Sequence, residues 1–262
     1  MAKKNKKILG LALGGGSLRG LAHVGVLKVI EEYRIKIDYL AGTSIGSIIG
    51  ALYADGMTVK EIIAVSRRIK WNNFYQFSFQ LSGLSNSKAI DNLIKTFIKH
   101  DSFSKLKIPF SVTASNITKG KMVVIKSGSL SSAIQMSASF PGIYTPVIQK
   151  NEIFCDGGVF CNLPVQLVKK MGAEIIVGVD VIPKSDMDPK KNKTYTMLNI
   201  MDRSLDLMLK EQIKELTCDL LMEPVNQDIN SFDLKKKEDL MKMGEKCARE
   251  TLLPFLRKRG FL

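Results

Sequence analysis

Apolar residues fall along this chain in two alternating patterns. Short uninterrupted runs such as Ile8-Leu9-Gly10-Leu11-Ala12-Leu13 have the length and character of buried strands, and between them lie longer stretches with apolar positions three or four apart, the period of a helix with one covered face. The patterns predict strands near 7–13, 37–41, 108–115, 121–126, 152–155, 174–181 and 218–222. Helices are expected near 19–33, 44–55, 58–69, 87–99, 129–138, 163–171, 197–214 and 236–258. Strand and helix alternate, so the expected fold class is α/β, a mainly parallel central sheet sandwiched by helices. No internal repeat or low-complexity segment interrupts the pattern.

Three of the strand ends carry candidate chemistry. Gly42-Thr43-Ser44-Ile45-Gly46 fits G-x-S-x-G between a strand-like and a helix-like run, the sequence of a nucleophile elbow. A serine on such a sharp turn needs neighbours without Cβ atoms, so that the chain can turn tightly and an ester can reach Oγ. The run ending at Leu13 passes into Gly14-Gly15-Gly16-Ser17-Leu18-Arg19-Gly20, which opens a helix. A glycine cluster there exposes backbone N–H groups at a positive helix terminus, able to hold a phosphate or the oxyanion of acyl transfer. Finally, Asp156 ends a short apolar run and is followed by Gly157 and Gly158, which let the chain turn away from the carboxylate.

Histidine limits which serine chemistry can operate. The chain has only His23 and His100, and both precede Asp156, whereas α/β-hydrolases place their histidine after the acid. His23 sits on the apolar face of the first helix and reads as a packed core residue; His100 reads as a solvated helix end. Asp156 is therefore expected to act as the base itself. A dinucleotide site at the glycine cluster is disfavoured, because the next glycine required after Gly14-x-Gly16 falls on Arg19. Ser85-Asn86-Ser87-Lys88 fits S-x-x-K, but helix capping by Asn86 or Ser87 explains it more simply.

In these motifs, and in their order, the chain resembles the bacterial patatin-like phospholipases, lipid acyl hydrolases that use a Ser-Asp dyad. The resemblance is carried by Gly14 to Gly20, by Gly42 to Gly46 and by Asp156-Gly157-Gly158, with Leu21 to Leu27 and Ala138 to Gly142 agreeing in context. It covers roughly residues 8 to 170. It implies a three-layer α/β/α architecture, Ser44 as nucleophile, Asp156 as general base, and no metal or cofactor. It also implies oxyanion donors at Gly15 and Gly16, with Gly14 a further candidate because Ser17 stands where the family often has a glycine. Arg19, Gly20, Gly42, Gly46, Gly157 and Gly158 would support the motifs, Arg19 by holding the glycine loop in shape. The implied substrate is a phospholipid or related lipid ester; a low-turnover lipid-binding protein on the same fold is the alternative.

Composition adds three constraints. At 262 residues, a catalytic core at 8–170 and a remainder at 171–262 of the same domain, ending in a helical extension, is the economical division. Cys155, Cys161, Cys218 and Cys247 lack metal-site spacing and suggest reduced thiols in a cytoplasmic protein. The apolar run after the basic Met1 to Lys7 is too short for a signal peptide, and no stretch is long enough to span a membrane.

The formal net charge of +14 leaves two readings open, a solvated lysine-rich surface and peripheral contact with an anionic membrane. Nucleic acid is disfavoured, since no recognition motif accompanies the charge. The aromatic segment from Trp71 to Gly83 is read as a loop, either a lid or membrane-contact surface or ordinary buried packing. Lys184 to Thr196 is expected to be an exposed, mobile loop at the end of the catalytic core.

Overall fold

The computed structural model describes residues 7–262 except 69–76, 81–82, 184–196, 215, 227–228, 230 and 232. Its strands are β1 (Leu9–Leu13), β2 (Tyr39–Gly42), β3 (Phe77–Gln80), β4 (Gly83–Ser85), β5 (Phe110–Asn116), β6 (Lys121–Ile125), β7 (Val147–Gln149), β8 (Glu152–Asp156), β9 (Ile175–Val179) and β10 (Leu220–Met222). The helices are α1 (Leu21–Glu32), α2 (Ile45–Ala54), α3 (Val59–Arg68), α4 (Lys88–Lys95), α5 (Leu130–Ala138), α6 (Val165–Lys170), α7 (Met197–Lys214), α8 (Lys237–Cys247) and α9 (Leu253–Arg259).

Eight strands form one sheet in the order β10-β9-β1-β2-β5-β8-β7, with β6 also paired to β5. From β10 to β5 every pairing is parallel; β6, β7 and β8 form an antiparallel wing. Strands β1, β5 and β9 are buried at every position; in β1 and β9 the uninterrupted apolar sequences suit strands covered on both faces, while β5 buries Ser111, Thr113, Ser115 and Asn116 as well. On one face, Leu9, Leu11 and Leu13 pack with α1, α2 and α8; on the other, Ala12 packs with Leu163, Val165 and Val168 at α6. A Cβ at Gly10 would lie 2.0 Å from Val168 Cγ1, so the glycine lets α6 approach the strand closely.

The register of β5 positions the site. The first part of the strand pairs with β2 (Val112 opposite Gly42), and its last part pairs with β8 (Ala114 opposite Asp156). Because β6 runs beside residues 112–116, β2 and β8 must share the other edge of β5. The end of β2 and the end of β8 therefore meet at one point of the sheet.

The structure departs from the sequence reading at three places. The expected helix 236–258 is divided by a π-helical turn at Ala248–Leu252, just ahead of Pro254, which has no N–H to donate to the preceding turn. The strand β7 was not expected. It pairs with β8 through Lys150 and Asn151, whose φ angles of 50° and 61° are those of a tight hairpin turn. Part of the aromatic segment read as a loop is instead the antiparallel pair β3 and β4, while its residues 71–76 and 81–82 lie outside the described residues. The loop expected at 184–196 also lies outside them.

Candidate active site

Ser44 sits between β2 and α2 with φ 52° and ψ −124°, a backbone conformation that side-chain-bearing residues seldom adopt. The turn is that of a nucleophile elbow, and its glycines are required by space. A Cβ at Gly42 would lie 2.4 Å from the Gly46 carbonyl oxygen, and a Cβ at Gly46 would lie 2.3 Å from that of Leu13. The Ser44 N–H donates to Ser137 Oγ at 2.9 Å, and Thr43 joins Thr113 of β5 through their hydroxyls at 2.6 Å. These contacts fix the turn against α5 and the centre of the sheet.

Asp156 closes β8 and is 4% exposed. Its Oδ1 accepts the Gly158 N–H at 2.8 Å, while Oδ2 is buried without a partner in good hydrogen-bond geometry. Burial pushes the carboxyl pKa up to about 6; the nearby Ser44 hydroxyl and the Gly158 N–H act in the opposite sense. The structure brings together a strained serine and a carboxylate poised near neutral pH. Gly157 turns the chain beneath it, where a Cβ would meet the Thr113 carbonyl oxygen at 2.5 Å.

The glycine segment departs from expectation in its hydrogen bonds. The Gly14 N–H donates to the Val179 carbonyl at 3.0 Å and the Gly15 N–H to the Asn162 carbonyl at 3.1 Å, so two of the three candidate amides already hold the loop to β9 and to the chain after Asp156. The Gly16 and Ser17 amides donate to no described residue. Arg19 Nε donates to the Gly16 carbonyl at 3.4 Å, and its guanidinium forms a two-pronged ion pair with Asp206 at 2.7 and 2.5 Å, both side chains buried. Gly20 permits close packing on Ile45, whose Cγ2 would stand 2.3 Å from an added Cβ.

Neither histidine reaches the dyad by any described hydrogen bond. His23 is fully buried, its Nε2 lies 2.8 Å from the Gly14 carbonyl oxygen, and burial lowers its pKa to about 4. His100 instead bonds Asp55 through Nδ1 at 2.9 Å. The S-x-x-K segment is a helix start: Asn86 Oδ1 accepts the Lys88 N–H at 2.9 Å. All four cysteines are free, and no group of three potential metal ligands occurs among the described residues.

Helix α7 supplies what the sequence reading missed. A cavity of about 340 Å³ opens between the dyad, the glycine loop and this helix. Leu205, Met208 and Leu209 line it, and with Gln212 they recur at i, i+3, i+4 and i+7 on one helix face. Gln212 Nε2 donates to the carbonyls of Gly158 and Val159, and its Oε1 accepts the Asn162 N–H. Asn162 in turn donates through Nδ2 to the Gly15 carbonyl at 3.4 Å. The only sequence signal for this clamp was the helical spacing itself, with Asp206 set among Leu205, Leu207, Met208 and Leu209.

Comparison with known proteins agrees with this geometry. The family described as patatin-like phospholipase matches residues 11–169. Lysophospholipase nte1 of Neurospora crassa is 33% identical over 98% of this chain, and lysophospholipase NTE1 of Pyricularia oryzae 34% identical over 70% of it. The matched region is 19% and 13% of the length of those relatives, so the chain spans less than a fifth of them. Among solved structures, VipD from Legionella pneumophila aligns with a TM-score of 0.62 at 13% identity, covering 93% of this chain and 66% of that one. ExoU in its complex with SpcU, from Pseudomonas aeruginosa, aligns at 0.51 and 16% identity, covering 96% of this chain and 52% of that one. The shared fold is the three-layer α/β/α arrangement.

Proposed function

Since the chain belongs to the patatin-like phospholipase family, we propose that it hydrolyses carboxylic esters of phospholipids or lysophospholipids through Ser44 and Asp156. The observation that carries this reading is the meeting of β2 and β8 on one edge of β5, which sets a strained serine beside a buried carboxylate. Asp156 Oδ2 takes the hydroxyl proton as Ser44 Oγ attacks the ester carbonyl, and the proton passes to the departing alcohol. Asp156 then deprotonates a water that releases the fatty acid from the acyl-enzyme. A base titrating at about 6 is ionised at neutral pH yet far stronger than an ordinary carboxylate.

The oxyanion is assigned to the Gly16 N–H and to the N–H of Ile45, the residue after the nucleophile, at the positive end of α2. Gly14 and Gly15 are reassigned from donors to anchors of the loop. The acyl chain lies along the apolar face of α7. No helix among the described residues is long and apolar enough to cross a membrane. We place the protein in the cytoplasm, where its four free cysteines stay reduced, meeting lipid at an anionic membrane surface by virtue of its positive charge.

A serine-reactive fluorophosphonate tests the reading. Wild type is expected to label and Ser44→Ala not to; failure of both to label would return the fold to a lipid-binding role. Ser44→Ala and Asp156→Ala should each remove most turnover of a short-chain ester, and the double variant little more, because groups that act as a unit are not additive. Equal damage from His23→Gln or His100→Gln in a folded protein would mean the base has been misassigned.

A further inference from the structure

The antiparallel wing is covered on one face by α5; its other face is buried at the centre, at Thr113, Ser115 and Cys155, and carries exposed apolar residues around that centre. Ala114 and Phe154 pack under α5 with Met136, flanked by Val123, Ile125 and Val147. Strand register puts the alternate residues on the opposite side: Ser115 stands opposite both Met122 and Cys155, Thr113 opposite Val124, and Ile148 opposite Ile153. Ile117, whose N–H donates to the Ile153 carbonyl at 2.9 Å, continues the same row. Ile117, Met122, Val124, Ile148 and Ile153 are thus exposed apolar residues set around that buried centre, Ile148 being 71% exposed and Ile117 49%. Soluble proteins seldom leave so many large side chains together in water.

This surface leads to the pocket. Ser115 Oγ donates to the Gly157 carbonyl at 3.5 Å, which sets the 157–160 turn against the buried centre of this face. In that turn Val159 and Phe160 are each 44% exposed, and Val159 lines the cavity together with the exposed Ile200 and Met208 of α7. Charge surrounds the apolar row with one sign. Lys119 and Lys121 flank the β5–β6 turn, Lys126 follows β6, and Lys150 occupies the β7–β8 turn, all exposed. The only acid between Ile117 and Ile153 is Glu152, which is engaged by Lys119 and Asn116.

We propose that this face of the wing, continuous with the pocket mouth through the 157–160 turn, is where the protein sits on an anionic lipid bilayer. Apolar side chains enter the interfacial region while lysines meet the phosphates. A second copy packed face to face would oppose two lysine rims, which like charge disfavours. The proposal rests on the lipid-ester reading of the pocket, and it places the membrane against the wing, independent of residues 1–7.

Co-sedimentation of the full chain with vesicles tests it, using phosphatidylcholine alone and phosphatidylcholine with about a third phosphatidylglycerol. Wild type should bind the mixed vesicles. Met122→Ser/Val124→Ser/Ile148→Ser and, separately, Lys126→Glu/Lys150→Glu should each weaken binding at least about tenfold, with short-chain ester hydrolysis unchanged within about twofold. Failure of wild type to bind, or variants that bind as wild type does, overturns the proposal. So does light scattering that shows a wild-type dimer dissolved by the triple variant, since a second copy would then cover the face. Failure of the catalytic reading is distinguishable, because it appears as absent ester hydrolysis and absent Ser44 labelling.

Discussion

At Asp156, one carboxylate oxygen is bonded to the Gly158 N–H and the other is buried without a good partner, so ionisation costs more here than in water. The first consequence concerns rate. With the base titrating at about 6, hydrolysis of a soluble ester should rise about tenfold per pH unit up to that value and then level; a flat profile from about pH 5 to 8 would exclude Asp156 as the base. The second concerns stability, with a determinate sign. A carboxyl whose folded pKa lies above its unfolded value binds its proton more tightly when folded, so its contribution to stability declines as pH rises from about 4 to 6. Asp156→Asn keeps the Oδ1 acceptor and removes the charge. It should abolish turnover yet raise unfolding free energy at pH 7 by up to about 3 kcal/mol, with no gain near pH 4, as chemical denaturation at the two pH values would show.

Ser44 and Asp156 could be singled out as candidates from sequence because each lies inside a local motif. Which amides of Gly14, Gly15 and Gly16 remain available could not, because the Val179 and Asn162 carbonyls that engage two of them are remote in the chain.

Among the elements, α7 couples both halves of the site: Asp206 holds Arg19 at the glycine loop, and Gln212 holds the turn after Asp156. Asp206→Ala would leave the Arg19 guanidinium buried without this carboxylate. A loss of about 3 kcal/mol is expected in urea unfolding, against a smaller loss for Asp206→Leu/Arg19→Met, which removes both charges. If both variants lost the same stability, the pair would not be acting as an ion pair. The helix itself was legible at 197–214, because its apolar spacing is local. Its neighbours were not, since nothing in that spacing says which strands it faces. The hairpin at Lys150-Asn151 was missed for a different reason: Val147–Gln149 is too short for its alternation to register as a strand.

For the whole molecule, a formal charge of +14 should make binding to anionic vesicles strongly sensitive to ionic strength. Raising salt from about 50 to about 300 mM should weaken binding at least about tenfold while leaving soluble-ester hydrolysis nearly constant; insensitivity to salt would assign attachment to apolar contact alone. The α/β class was readable because continuous apolar strands alternating with amphipathic helices admit few other arrangements. The antiparallel wing was not, because the order of strands depends on pairings between distant segments. The shared edge of β5 is such a pairing, and it also has a meaning in time. Ser44 leaves the ribosome about 110 residues before Asp156, which at about 5–20 residues per second is roughly 6–20 s. On the proposed reading of the dyad, the growing chain throughout that interval holds its serine without its base, so synthesis itself would keep ester cleavage silent until β8 has docked.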